Sequence, residues 1–224
     1  MTASVAQDEL TLYGYWRSSA SYRVRIALNL KGLSCRMIPV HMVKNGGEQH
    51  SAEFRAINPQ GLVPVLVHNG EVITQSLAIC EYLDECFEQS PLLPVQPLER
   101  ARTRSMASQI ACDIHPLNNL RVTKYLRERH GDAAKPVEWM SHWITEGFAA
   151  IEQQLTDAGD RPRLYLDGKP GLFECFLIPQ VYNAERFATD LTAFPEIMRL
   201  VAECRKLPAF IEAAPENQAD AEEV

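Results

Sequence analysis

Three serines, Ser18, Ser19 and Ser21, stand within four positions of the stretch WRSSASYRVRIALNLKG (16–32), with Arg17 before them and Arg23 and Arg25 after. Hydroxyls at the start of an apolar helical run have two uses. Any of the three can cap the helix by accepting from the free N–H groups of its first turn. Alternatively, the helix start is an anion site, because free N–H groups and the helix dipole both favour negative charge there. None of the six cysteines, Cys35, Cys80, Cys86, Cys112, Cys175 and Cys204, stands at this helix start. A dithiol oxidoreductase or a glutaredoxin needs a thiolate there. The cysteines form no C-x-x-C pair and no Cys/His cluster with zinc spacing, so no metal is expected. Most sit in apolar segments and read as small core residues of a protein in the reducing cytosol.

The elements that must carry this helix start follow from periodicity. LTLYGY (10–15) predicts a strand and Ser18–Lys31 a helix. In that helix Val24, Ala27 and Leu28 make one apolar stripe and Tyr22, Ile26 and Leu30 another, as for a helix packed on a sheet. Gly32 stands where a C′ glycine belongs. CRMIPVHMV (35–43) predicts a second strand, and NGGEQHSAEFRAIN a turn and a short helix. VPVLVHNGEVITQ (63–75) predicts two strands joined by an Asn69-Gly70 hairpin turn. A helix follows over 76–87, with Ser76 as its expected N-cap. The order βαβ then ββα is an α/β domain of the thioredoxin type. Lacking its own thiol at the helix start, such a domain is suited to hold another molecule's thiol.

QSPLLPVQPLE then breaks the pattern with three prolines. We read 1–88 as the thioredoxin-like domain, 89–97 as a linker and 98–224 as an all-α domain. Its expected helices cover 98–129, 135–157, 171–188 and 195–206, ahead of a loose acidic tail, APENQADAEEV. The 224 residues are 46% hydrophobic, enough for a substantial core, and carry a formal charge of −7. With no basic tract, a nucleic-acid partner is not expected. No apolar run approaches the ~20 residues of a membrane span, and the opening MTASVAQDEL lacks the pattern of a secretory signal.

Four motifs, RSSASYRVRIALNLKG, NPQGLVPVL, TQSLAICEYLDE and IPQVYNAERFATDLTAFP, occur in the order and spacing of the zeta class of glutathione transferases. The chain resembles that family from about Tyr13 to Pro195. The resemblance implies a homodimer, reduced glutathione as cofactor, and cis–trans isomerisation of a double bond beside a carbonyl in a dicarboxylate. It makes Ser18 and Ser19 the catalytic serines. Ser18 is the main donor to the glutathione sulfur and Ser19 lines the sulfur pocket, or the reverse. Pro64 resembles the cis-proline of the thioredoxin fold, freeing the Val63 backbone to pair with the cysteinyl part of glutathione; otherwise it starts an edge strand. Gln75 and Ser76 receive the γ-glutamyl carboxylate. Gln49 resembles a glutamine that helps hold the tripeptide, though alone it reads as a solvated loop residue. His115 and Asn119 complete the implied glutathione set; alone, His115 beside Pro116 reads as a histidine at a kink.

Arg17, Arg121 and Arg186 are the candidates for the substrate carboxylates and for stabilising the enolate, since the planar guanidinium matches a carboxylate. Arg186 otherwise pairs with a helix C-terminus and Arg121 with solvent. The form DIHPLNN resembles the maleylpyruvate branch of the class more closely than the maleylacetoacetate branch. Ala20 stands where the family has cysteine, which leaves glutathione as the only nucleophile. Gly171 and Glu174 replace the family's Ser/Thr-x-x-Asp capping box, a tolerated change. Two other functions compete: a general transferase acting on small haloacids with the same thiolate, and a non-catalytic dimeric binding protein.

Overall fold

The computed structural model describes residues 9–131, 135–158 and 168–222. The opening stretch through Asp8 and the last two residues of the acidic segment, both read above, lie outside them. The chain forms two compact units, Met1–Ser90 with Glu212–Val224, and Pro91–Ile211.

In the first unit β1 (Leu10–Gly14) is an inner strand. β2 (Arg36–Pro39) runs parallel to it, β3 (Val65–His68) antiparallel, and β4 (Glu71–Thr74) antiparallel to β3, in the order β2-β1-β3-β4. α1 (Ser19–Lys31) joins the two parallel strands, and Gly32 closes it at φ 65. Leu12, Val24, Ile26, Val65 and Leu66 are fully buried, as a helix with two apolar stripes requires. The hairpin turn forms at Asn69 and Gly70 with φ of 51 and 90, the left-handed pair such a turn demands. α2 (Ala52–Ile57) and α3 (Ser76–Cys86) complete the α/β unit. The ammonium of Lys31 is buried with Asp84 at 3.2 Å and the Gln89 carbonyl at 2.9 Å, which ties the end of α1 to the end of α3.

The second unit is helical, but the helix expected over 98–129 is broken. α4 (Pro97–Ser108) runs into a π-helical turn at Gln109–Ile114, then α5 (His115–Asn118) and α6 (Leu120–His130). Pro116 offers no N–H to the preceding turn, and its ring crowds the carbonyl side, so the turn before it widens. Asn119 then turns extended and caps α6, its Oδ1 accepting from the Arg121 N–H at 3.1 Å. α7 (Pro136–Asp157), α8 (Leu172–Arg186), α9 (Pro195–Cys204) and α10 (Pro208–Ala213) follow. α8 is the centre of this unit, buried from Leu172 to Val181. At its start the fully buried Glu174 accepts from the Gly171 N–H at 2.8 Å. Glycine has no side chain to return the other half of that capping box. Leu92 and Leu93, read as linker, are buried, and the Leu92 carbonyl accepts from the Leu172 N–H at 2.8 Å.

Two further expectations are corrected. The acidic tail is not loose and does not extend the helical unit: Glu212–Val224 groups with the first unit. Ala213, Ala214 and Pro215 are buried, and the Arg25 guanidinium binds the Ala213 carbonyl at 2.9 Å. Composition missed this because the anchors are backbone carbonyls and small apolar groups. Of the cysteines, only Cys80, Cys175 and Cys204 are buried; Cys35 is half-buried, and Cys86 and Cys112 are exposed. Burial pushes the Cys80 thiol up to about 12 and that of Cys35 up to about 11, so neither is a nucleophile at neutral pH.

Candidate active site

The sheet register brings the first unit's chemistry together. Tyr13 pairs with Val65, and Val65 with Thr74. The three strands therefore end abreast, and what adjoins them shares one end of the sheet. From β1 the chain passes through Trp16 and Arg17 into α1 at Ser18. Just before β3 lies the Val63–Pro64 peptide, which is cis. After β4 come Gln75 and Ser76 at the start of α3. Two helix N-termini and one irregular peptide edge thus converge, an arrangement that favours an anionic ligand with an extended backbone.

Ser18 is the N-cap of α1, its Oγ accepting from the Ser21 N–H at 3.2 Å. That bond uses a lone pair and leaves the hydroxyl proton uncommitted among the described residues. Ser19, the first helical residue, is buried at 8% exposure. Ser21 is buried inside the turn, and its hydroxyl accepts from the Tyr15 N–H at 3.4 Å. Half-buried Arg17 lays its guanidinium 4.9 Å from the centre of the Trp16 ring. Among the described residues no carboxylate pairs with Arg17, which stands one residue before the α1 N-cap.

At α3 the expected cap is displaced by one residue. Gln75 is the N-cap, at φ 70 and ψ 115, and Ser76 is the first helical residue. A glutamine in the left-handed half of the map is strained, a condition that concentrates at ligand sites. The Gln75 side chain donates to Gln60 Oε1 at 2.9 Å. Ser76 is freed from capping, and its Oγ accepts from Arg23 Nη1 at 3.1 Å. Its own proton is thereby directed away from the guanidinium. The buried Arg23 adds positive charge behind this helix start, reinforcing the dipole's pull on a carboxylate. Sequence reasoning left Arg23 without a role. The signal was there: apolar stripes on both sides of α1 leave no solvent face for an arginine between them.

Gln49 is not a solvated loop residue. It is 4% exposed, its Nε2 donates to the Met42 carbonyl at 3.4 Å, and its Oε1 is buried with no donor among the described residues. An orphaned buried acceptor is costly and calls for a ligand N–H. Gly61 lets this loop approach: a Cβ there would lie 2.9 Å from the Gln49 carbonyl, and its φ is 61. The uncommitted Ser18 proton, the buried Gln49 acceptor and the Ser76 helix start fit the thiol, amide and carboxylate groups of a tripeptide such as glutathione.

The remaining candidates lie in the second unit. His115 opens α5 directly after the π-helical turn, Asn119 caps α6, and Arg121 is exposed on α6. Arg186 is the last residue of α8, exposed, with its guanidinium 4.8 Å from the Phe187 ring centre. Among the described residues no helix is long and apolar enough to cross a membrane, and no group of three or more metal-ligating side chains occurs.

The family described as glutathione S-transferase, N-terminal domain, matches residues 12–91. A probable maleylacetoacetate isomerase of Vibrio cholerae is 47% identical over 213 residues, covering 95% of this chain and 98% of that protein. The holo structure of a bacterial maleylpyruvate isomerase, a zeta-class glutathione S-transferase, superposes with a TM-score of 0.91 at 43% identity, covering 95% of this chain and 100% of its own. A maleylacetoacetate isomerase from Methylobacterium extorquens AM1, with bound malonate and glutathione, superposes at 0.90 with 37% identity, covering 95% of this chain and 100% of its own. With an α/β unit of thioredoxin topology, a helical unit and near-full-length identity at this level, the chain belongs to the zeta class of the glutathione transferase family, among the maleylacetoacetate and maleylpyruvate isomerases.

Proposed function

We propose that this protein is a glutathione-dependent isomerase that converts a maleyl-type diketo acid, maleylacetoacetate or maleylpyruvate, to its fumaryl isomer. The observation that carries the reading is the convergence of Ser18, the Val63–Pro64 peptide and the Gln75–Ser76 helix start at one end of the sheet. Bound glutathione supplies a thiolate nucleophile, whose reversible addition beside a carbonyl lets the cis double bond rotate. The chain's part is to bind, orient and stabilise. Ser18 donates its free proton toward the sulfur position and, with the α1 N-terminus, lowers the thiol pKa; Ser19 lines that pocket. Val63 pairs its backbone with the peptide, Gln49 accepts from it, and Ser76 with Gln75 holds the γ-glutamyl carboxylate. By the family resemblance His115 and Asn119 also take part in holding glutathione. Arg17, Arg121 and Arg186 hold the substrate carboxylates and favour negative charge on the carbonyl oxygen during reaction.

The family resemblance supports a homodimer, and the six free cysteines support the cytoplasm as its location. The direct test is isomerase turnover on each acid with and without glutathione. Turnover that needs no glutathione, or the absence of turnover on both acids, overturns the reading. Gln75→Ala should weaken glutathione binding about tenfold by calorimetry and leave turnover at saturating glutathione nearly unchanged, because it holds a part remote from the sulfur. Normal binding by that variant would remove Gln75 from the site.

A further inference from the structure

Trp16, two residues before Ser18, is held at both of its backbone polar groups. Its carbonyl accepts from Arg25 Nη2 at 2.9 Å, and its N–H donates to Asp220 Oδ2 at 3.2 Å. The preceding carbonyl, of Tyr15, accepts from the Ser18 N–H at 3.0 Å and from Arg25 Nη1 at 3.5 Å. Arg25 Nε in turn donates to the Ala213 carbonyl at 2.9 Å. The turn Tyr15–Ser18 is therefore gripped between a buried guanidinium and the segment 212–222. That segment is anchored beyond the grip as well. Ala221 packs against the cluster of Tyr15, Trp16, Val40 and Val63. Glu222 reaches Lys44 and lies 3.4 Å from His41, on the loop whose Met42 carbonyl holds Gln49. A pocket of about 190 Å³, lined by Tyr15, Trp16, Arg25, Met37, Gln218 and Asp220, adjoins the turn. Directional hydrogen bonds to Arg25 and Asp220 thus add to the apolar packing of the segment.

We infer that Asp220, acting with Arg25 and Ala213, is a positioning residue for the turn that presents Ser18. The inference rests on the reading of Ser18 as the donor to the glutathione sulfur. Asp220 is not a local element of the turn but reaches it from 204 residues away, and it spends its carboxylate on a backbone N–H. A charge-assisted bond of that kind fixes the plane of the Trp16 peptide, and with it the direction from which α1 starts. Small displacements of a catalytic group are expensive in rate.

The experiment uses the full chain in three variants, Asp220→Ala, Asp220→Asn and Ser18→Ala. Two readouts are independent of turnover: hydrogen exchange at the Trp16 amide without glutathione, and the thiol pKa of bound glutathione from its ultraviolet titration. Asp220→Ala should speed Trp16 exchange about tenfold, raise the thiol pKa and lower kcat about tenfold, leaving KM for the diacid unchanged. Asp220→Asn keeps an acceptor oxygen and should restore all of these toward wild type. Faster exchange with an unchanged thiol pKa would make Asp220 merely structural and overturn the inference. Unchanged exchange would overturn it too, since the segment would not hold the turn. If Asp220→Ala behaves as expected but Ser18→Ala leaves the thiol pKa unchanged, the Ser18 reading is what fails, and the inference falls with it.

Discussion

Replacing Ser18 with alanine should raise the thiol pKa of bound glutathione and lower isomerase turnover by about 10²–10³, the cost of losing one preorganised donor to a developing or resident anion. The sign follows from the geometry. The Ser18 Oγ already accepts from the Ser21 N–H, and its hydroxyl proton is the part available to stabilise negative charge. Removing it favours the protonated thiol, which moves the rising limb of the pH–rate profile to higher pH. Part of the loss will be recovered above the new pKa, and that recovery separates a thiolate effect from a general defect. The serine is also a helix cap, and its loss to alanine costs roughly 1 kcal/mol of stability. Ser18→Gly is the control, because glycine costs only a few tenths of a kcal/mol at a cap and supplies no donor. Both variants should lose turnover alike, while only the alanine loses thermal stability appreciably. A Ser18→Ala enzyme with wild-type turnover would transfer the role to Ser19, which stands next in the turn and is buried.

Arg17→Met should weaken the diacid substrate ten- to a hundredfold, the worth of about 1.5–3 kcal/mol for a charged hydrogen bond. The same variant should turn over a neutral acceptor, such as a chlorodinitrobenzene, at close to the wild-type rate. The protein's net charge of −7 repels a dianion at long range, so cations at the binding site must reverse the field locally. Arg17 is suited to this: it stands at the α1 start, is half-buried on the Trp16 ring, and among the described residues no carboxylate neutralises it. Methionine keeps much of the stem's packing and removes the charge. The measured quantity is the ratio of the two activities at saturating glutathione. If both activities fall together, Arg17 supports the turn rather than the substrate, and the dianion assignment is wrong.

What was legible in the sequence was whatever the backbone demands locally. Gly32 closes α1 as its C′ residue, and Asn69-Gly70 supplies the positive φ pair that a two-residue hairpin needs. The cap of α1 was narrowed to Ser18, Ser19 or Ser21, and the structure gives it to Ser18. The cis bond at Pro64 came from the family resemblance, since the residues alone also allowed an edge-strand start. Where distant residues decide the outcome, the reading fell short. Ser76 looks like a cap, yet the cap is Gln75 in a strained conformation, and Ser76 is turned to serve Arg23. Arg23 and Arg25 were given no role, yet they are 2% and 4% exposed, and each has a partner far along the chain, 53 residues away at Ser76 and 188 at Ala213. The kink beside Pro116 was legible, but the widened π-helical turn before it was not, because a proline's effect falls on residues that themselves favour helix. Gln49 is hydrophilic by composition and buried by topology.

The pairing of Trp16 with Asp220 spans 204 residues. At a ribosomal pace of roughly 5–20 residues per second, about 10–40 s separate the synthesis of the two partners. Through that interval the nascent thioredoxin-like unit can form its sheet and both of its long helices. It cannot yet close the network around Tyr15 and Trp16, because the Ala213 carbonyl and the Asp220 carboxylate have not been made. The glutathione site is thus the last part of its own unit to mature, and a chain that stalls before residue 213 leaves Arg25 short of one acceptor it is built to use. The turn bearing Ser18 can therefore complete its hydrogen bonds only after translation has run past the whole helical unit.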